Sequence, residues 1–273
     1  MHQKVLQCRI TRYVIAEIKP LGFEVKDDGF VMVNHDHNRF GNTDINGNPT
    51  KAQSSCGLTV HSVFKRLPHK SKAPKSELRG DNCPLIYALK GADGLYTEVT
   101  EVKKLIPPGK QILDTFISDK SEGYDLILPM PSNHSISLIL ARRVHKLLPK
   151  SSIIVTGLRK ATVRQVFQQL KDNDLGHNAN AAISKQLKKM EQDVGLDGLF
   201  SIKNIPTRYR RDLSPVVLTD ALPDVASRIL LVDDLFSTGS TLFGARNLLQ
   251  RYMPNAKIEA LCLFSPYKGK IRR

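Results

Sequence analysis

The amino-acid sequence predicts an α/β protein with a doubly wound parallel sheet and an N-terminal α+β extension. Four short apolar runs are typical of strands that are buried on both faces; they lie at residues 124–131, 153–158, 229–232 and 258–264. Between them, residues 135–148 and 242–249 carry apolar side chains at helical spacing. Strands that alternate with helices form right-handed crossovers, and these produce a parallel sheet.

The first part of the chain has a different pattern. Apolar residues alternate over residues 22–33 around Asp28-Gly29, which is the pattern of a β-hairpin. Residues 68–75 have the Pro-rich, basic composition of an exposed linker. We therefore expect residues 1–84 to form an extension with a hairpin and a basic linker. Residues 85–273 would then form the α/β domain.

A polar, basic stretch interrupts the alternation of strands and helices in the second part of the chain. We expect an insertion around residues 172–206, with a helix at residues 182–194 in its middle. Before it, the strand at 124–131 ends in a Pro-rich loop that leads to the helix at 135–148. Such loops follow the carboxyl ends of strands, which is where open α/β sheets bind ligands.

The most informative segment is residues 228–242, with the sequence RILLVDDLFSTGSTL. Its strand is followed by Asp233 and Asp234, whose carboxylates suit sugar hydroxyls and a hydrated Mg²⁺. A glycine-containing loop then opens a helix, and this geometry suits a phosphate group. The loop residues are Ser237, Thr238, Gly239, Ser240 and Thr241. An ordinary strand–turn–helix with a capping hydroxyl is the alternative, but it accounts for only one of these small or hydroxyl residues.

This segment resembles the phosphoribosyl pyrophosphate (PRPP) signature of the type I phosphoribosyltransferases. That pattern has four apolar residues, two acids, two or three variable residues and then Thr-Gly-x-Thr, and the chain matches it throughout. More narrowly, LIYALKG at residues 85–91 and LRKATVRQVFQQL at residues 158–170 resemble the ComF-like branch. The chain departs from that branch in lacking its four-cysteine zinc module, and in having Ser132-Asn133-His134-Ser135 where a glycine is usual.

The resemblance implies an enzyme that binds PRPP or a nucleoside monophosphate with Mg²⁺ and transfers phosphoribose to or from a nitrogenous base or amine. Asp233 and Asp234 would be the catalytic and metal-binding residues, and the loop 237–241 would bind the 5′-phosphate. The residues implied for pyrophosphate are Ser132, Asn133, Arg159, Lys160 and Arg164. Two roles are compatible with the position of Phe236: packing on a base and packing in the core.

The net charge of +15 supports a second hypothesis. No acidic residue occurs between Asp125 and Asp172, and further basic residues cluster at positions 65–79. Such surfaces attract polyanions. The alternative is therefore a non-catalytic protein that senses PRPP or nucleotides and binds nucleic acid or a protein partner, as an accessory of DNA uptake or phage defence. An oligomer is compatible with both hypotheses.

The remaining composition predicts a cytoplasmic protein without a membrane segment. No apolar run approaches the ~20 residues that span a bilayer, and the first residues lack the apolar core of a signal peptide. The four cysteines form no CxxC pair. This spacing argues against a zinc knuckle and against a disulfide framework.

Overall fold

The computed structural model is a mixed α/β protein with a mostly parallel central sheet. It describes residues 22–34, 40–54, 56–67, 83–120, 122–173, 175–266 and 269–271. The predicted linker at 68–75 and most of the basic cluster at 65–79 lie outside these ranges. No helix in the described part of the chain is both long and apolar enough to cross a membrane.

The described residues contain twelve strands and seven α-helices. The strands are β1 (Gly22–Val25), β2 (Val31–Asn34), β3 (Gly41–Asn42), β4 (Thr50–Ser54), β5 (Thr59–Arg66), β6 (Leu126–Pro129), β7 (Ser152–Ile153), β8 (Leu158–Lys160), β9 (Val216–Leu218), β10 (Arg228–Leu235), β11 (Lys257–Ser265) and β12 (Gly269–Ile271). The helices are α1 (Pro84–Leu89), α2 (Val99–Lys104), α3 (Ile106–Ser118), α4 (Ile136–Leu147), α5 (Val163–Asp172), α6 (His177–Val194) and α7 (Ser240–Tyr252).

The central sheet has the strand order β12-β4-β5-β11-β10-β6-β7, with β3 also paired to β5. The five neighbouring strands from β5 to β7 are all parallel, whereas β4 and β3 run antiparallel to β5. The parallel sheet is therefore present as expected. However, β4 and β5 precede residue 85 and still belong to it, so the sheet continues across the predicted boundary at residues 84 and 85.

Helices cover both faces of the sheet, as the continuous apolar run in β10 predicts. Successive side chains of a strand point to opposite faces. Ile229 and Leu231 therefore join one core, in which α7 packs, whereas Leu230 and Val232 join the other, in which α1, α3 and α4 pack. All four side chains are fully buried, which explains why none of them is polar.

The predicted hairpin is confirmed. β1 and β2 pair antiparallel, with Val25 opposite Val31, and Gly29 in the turn has a φ of 92° that favours glycine. The Asp28 carboxylate accepts the Phe30 N–H at 2.9 Å, and it also accepts the Tyr96 hydroxyl at 2.6 Å. These contacts fix the turn against the segment that follows α1.

The predicted strand at 153–158 is wrong in detail. The chain turns at Gly157, whose N–H donates to the Ile154 carbonyl at 3.4 Å. The apolar run is thereby divided into β7, which ends the central sheet, and β8, which pairs antiparallel with β9. A Cβ at position 157 would lie 2.8 Å from Leu222 Cδ2, so only glycine fits this turn without displacing its neighbours.

The stretch between β8 and β9 contains α5 and α6. Thr162 and Gln165 cap α5 reciprocally in a capping box. The predicted helix is present as α6 and begins five residues earlier than expected, at His177 rather than residue 182. Between the two helices lies a separate apolar core that includes Val166, Ile183 and Leu187, so the insertion is a small helical layer with its own packing.

Candidate functional site

The predicted acidic residues lie at the carboxyl end of β10, a central strand of the sheet. β10 extends through Leu235, so Asp233 and Asp234 belong to the strand rather than to the loop after it. Pairing with β11 continues to Leu235, but pairing with β6 ends where Val232 faces Pro129. The two carboxylates therefore lie beside the point at which the loop at 130–135 leaves the sheet.

Asp233 lies in a buried, polar corner next to α4. Its Oδ1 accepts the backbone N–H of Asp234 at 2.9 Å and has a longer contact of 3.5 Å with the Ser137 hydroxyl. Burial, and then the charge of Asp234, raise the pKa of Asp233 to about 7. This carboxyl group therefore binds a proton more readily than an exposed aspartate does.

Asp234 forms an ion pair with the ammonium group of Lys90, which the sequence analysis did not identify. Lys90 directly follows α1, in the segment 85–91 that resembles the ComF-like branch. No sequence pattern links it to Asp234. At the other end of α1, burial raises the pKa of the Cys83 thiol to about 12, and the charges of Arg66, Asp234 and Lys90 also act on it. A cation from the first 90 residues, Lys90, is thus part of the acidic site.

The predicted phosphate loop connects β10 to α7. Gly239 has a left-handed φ of 75° and immediately precedes the first residue of α7, so the first N–H groups of the helix point toward the loop. The hydroxyls of Thr238 and Ser240 are hydrogen bonded to each other at 3.1 Å. Phe236 is only 1% exposed and packs edge-on against Phe243, so it is a core residue and is not placed to stack on a base.

The shape of this loop should depend on glycine at position 239. A Cβ there would lie 2.7 Å from both the Phe236 and Phe243 rings. Gly57 is the control, because its φ of 84° is also positive and nothing lies near a Cβ. We expect Gly239→Ala to lower the free energy of unfolding by about 1–3 kcal/mol more than Gly57→Ala, as overpacking does. Urea unfolding measures the difference. Equal losses would show that the loop accommodates the added Cβ without a loss of stability from overpacking.

The residues proposed for pyrophosphate are only partly brought together. Lys160 Nζ donates to Asn133 Oδ1 at 2.9 Å, which joins the insertion to the loop after β6. Ser132 lies in the same loop and its hydroxyl accepts the His134 N–H at 3.2 Å. Arg159 donates to Gln165 at 3.0 Å. Arg164 is held in an exposed bidentate pair by Asp197, within the insertion, and so is already occupied.

The acidic pair does not fit a magnesium ion held mainly by the protein. Mg²⁺ prefers several oxygen ligands in octahedral geometry, and the Asp234 carboxylate is already bound by Lys90. Among the described residues, no group of three or more histidines, cysteines and acids is arranged to hold a metal ion. The Mg²⁺ implied by the resemblance therefore stays a prediction.

Two cavities lie away from the acidic pair, around the insertion. One of about 420 Å³ lies between α5 and α6, beside Lys171 and Asn180. The other, of about 280 Å³, lies between the insertion and α7, where Ser214 and Gly244 line it. Neither includes Asp233, Asp234 or the loop at 237–241, so neither is the site predicted from the sequence.

Comparison of the chain with protein-family models, curated proteins and solved structures finds no match. The phosphoribosyltransferase resemblance is thus carried by the residues of the motif alone. It is consistent with the mixed α/β architecture and the mostly parallel sheet, which are common to many functions. The function therefore has to be inferred from the residues of the site.

Proposed function

We propose that the protein binds a 5′-phosphorylated ribose at the carboxyl edge of the sheet and acts as a phosphoribosyltransferase. The observation that carries the proposal is the position of Asp233 and Asp234, which lie at the end of β10 immediately before the glycine loop that opens α7. Carboxylates suit the two ribose hydroxyls, and a helix N-terminus with a glycine loop suits the phosphate. A ribose 5-phosphate group presents both chemistries a few ångströms apart.

In this proposal each group of residues has a separate role. The acidic pair accepts hydrogen bonds from the ribose hydroxyls, while the loop at 237–241 donates N–H and hydroxyl groups to the 5′-phosphate. Asn133 and Lys160, which contact each other, would donate to the pyrophosphate of PRPP. Arg164 has no part in this grip, because Asp197 holds it elsewhere.

The proposed transfer forms a C–N bond at C1′ of the ribose and breaks the bond between C1′ and the pyrophosphate oxygen. The nitrogen of a base or amine supplies the electron pair, and pyrophosphate leaves with the pair from the broken bond. Positive charge develops on the ribose ring during this exchange. The ionised carboxylates beside the ring stabilise that charge, which is a form of electrostatic catalysis by fixed groups.

Ligands that share the ribose 5-phosphate group should stabilise the folded protein. We expect PRPP, ribose 5-phosphate and adenosine monophosphate to raise the melting temperature, because a ligand at a hundred times its Kd adds about 2.7 kcal/mol. For a chain of this size that corresponds to about 5–10 °C. Deoxyribose 5-phosphate is the matched control, since it lacks one hydroxyl and should give a smaller shift. The absence of any shift in folded protein would contradict the proposal.

The second candidate is a nucleotide-sensing protein that binds nucleic acid through a basic surface. It is favoured by α4, which exposes Arg142, Arg143 and Lys146 and contains no acidic residue. Arg142→Gln with Arg143→Gln should reduce the salt dependence of binding to mixed-sequence DNA or RNA, since each lost phosphate contact lowers the slope by about one. Lys188→Gln with Lys189→Gln, both exposed on α6, is the control. PRPP turnover without salt-sensitive binding would eliminate this candidate.

A further inference from the structure

The ion pair between Lys90 and Asp234 is largely enclosed. The Asp234 side chain is 9% exposed and that of Lys90 is 25% exposed. Mutual attraction between charges is stronger in such surroundings than at an exposed surface. Removing Lys90 leaves the Asp234 carboxylate buried and uncompensated, which is costly. The ammonium group is thus a fixed component of the acidic site rather than a passing surface contact.

The backbone of α1 holds Lys90 in this position. Leu85, Ile86 and Ala88 are buried and anchor the helix in the core, where it packs against β1 and β2. The Lys90 N–H donates to the carbonyls of Ile86 and Tyr87 at 3.2 and 3.1 Å, which fixes the start of its side chain. Only the methylene chain and the ammonium group are left to adjust.

A divalent cation at the same carboxylate would meet the charge of Lys90 at close range. Two cations on one carboxylate oxygen repel each other, so the metal would have to displace the ammonium group. At Asp233, Oδ1 already accepts the Asp234 N–H and lies near the Ser137 hydroxyl, so a metal ion at this oxygen would have to compete with two hydrogen-bond donors. The cation that balances the signature acids is therefore supplied by the chain itself.

We propose that the Lys90 ammonium group takes the place of a divalent metal ion at the Asp233–Asp234 pair, so that the site binds a phosphorylated ribose without a metal ion. Lys90 is in this respect a positioning residue that holds the Asp234 carboxylate for the ribose hydroxyls. The part of the statement that concerns the sugar phosphate rests on the proposed function. The part that concerns the metal does not.

The first experiment tests the metal alone, with Mn²⁺ as the probe and electron paramagnetic resonance as the readout. Wild-type protein should bind no Mn²⁺ at the acidic pair, whereas Lys90→Gln should gain a site that disappears again in Lys90→Gln with Asp234→Asn. Lys104→Gln is the matched control, because Lys104 also pairs with a partly enclosed acid, Glu101, but is not among the residues placed at the site. Equal binding by the wild type, or no gain in the Lys90→Gln variant, would overturn the proposal.

The second experiment titrates ribose 5-phosphate by calorimetry in EDTA and in excess Mg²⁺. We expect the wild-type affinity to be the same in both within about twofold, and that of Lys90→Gln to fall at least about tenfold in EDTA and to recover in Mg²⁺. The melting temperatures of Lys90→Gln and of the double variant, which also removes the charge left at Asp234, show whether a loss reflects misfolding. Wild-type binding that requires Mg²⁺ would overturn the proposal. Failure to bind in either buffer would refute the proposed function, while the Mn²⁺ result would still decide the role of Lys90.

Discussion

Asp233→Asn together with Asp234→Asn should lower the affinity for PRPP by about a hundredfold or more. Each carboxylate is proposed to accept a hydrogen bond from a ribose hydroxyl, and hydrogen bonds to charged groups contribute about 1.5–3 kcal/mol each. Two such losses correspond to at least two powers of ten in Kd. Turnover should fall further, because the neutral amides cannot stabilise positive charge on the ribose.

The fold should survive this double substitution. Asparagine has the shape of aspartate, and removal of the two charges ends the repulsion that contributes to the raised pKa of Asp233. Lys90, 25% exposed, keeps access to water. The matched control is Asp220→Asn with Asp224→Asn, which removes the same charge from two exposed positions. Calorimetry with PRPP compares the variants, and unchanged affinity in the Asp233 and Asp234 variant would refute the assignment of the ribose site.

The largest effect on stability is expected for Lys120→Met, at the other end of the sheet. Lys120 Nζ donates to Glu259 Oε2 at 2.6 Å, and their side chains are only 10% and 8% exposed. The same carboxylate also accepts the hydroxyl of Tyr124. Removal of the ammonium group leaves a buried negative charge without its main partner, which costs about 3–5 kcal/mol. Urea unfolding at pH 7 measures the loss.

A double-mutant cycle with Glu259→Gln identifies the cause. If the uncompensated charge destabilises Lys120→Met, adding Glu259→Gln should restore much of the stability, because breaking a buried pair costs more than replacing both partners. Methionine can pack against Phe116, whose ring centroid lies 5.6 Å from Lys120 Nζ. Additive losses in the double variant would show that packing, rather than charge, accounts for the effect.

The same cluster should make the protein sensitive to acid. Burial would raise the pKa of Glu259, but the nearby His61 ring, at 3.7 Å, and the hydrogen bonds from Lys120 and Tyr124 lower it well below the ordinary value of 4.5. A lowered acid pKa stabilises the fold above that ordinary value, and this contribution is lost as the pH falls below it. Burial likewise lowers the pKa of His61 from 6.5, so its contribution begins to fall at a higher pH than that of Glu259.

The sequence was most informative where one physical requirement dominates. The apolar run in β10 can only be a strand buried on both faces, and the two acids with the glycine loop after it had to lie at the carboxyl edge of a parallel sheet. The hairpin around Asp28 and Gly29 was equally clear, because turn chemistry is local. Each of these predictions used only contacts between residues close together in the chain.

Contacts between distant residues were not predictable in the same way. Nothing in the pattern around Lys90 indicates that its ammonium group reaches Asp234, since helix ends often carry an exposed lysine. The strand predicted at 153–158 failed because an apolar run does not show where the chain turns, and Gly157 alone was too weak a signal. The role of Phe236 was settled only by the aromatic partner Phe243, which lies on the following helix.

The parallel pairing of β5 with β11 has a consequence for the order in which the molecule can form. Val60 pairs with Ala260, so a strand made early in synthesis has to wait for one made almost at the end. Closing so large a loop before any contact is gained slows folding. Until then the nascent chain exposes an unpaired strand that can associate with other chains. A fragment that begins at residue 85 would expose the edge of β11 that pairs with β5. Once the protein is folded, the early segment therefore protects it from aggregation.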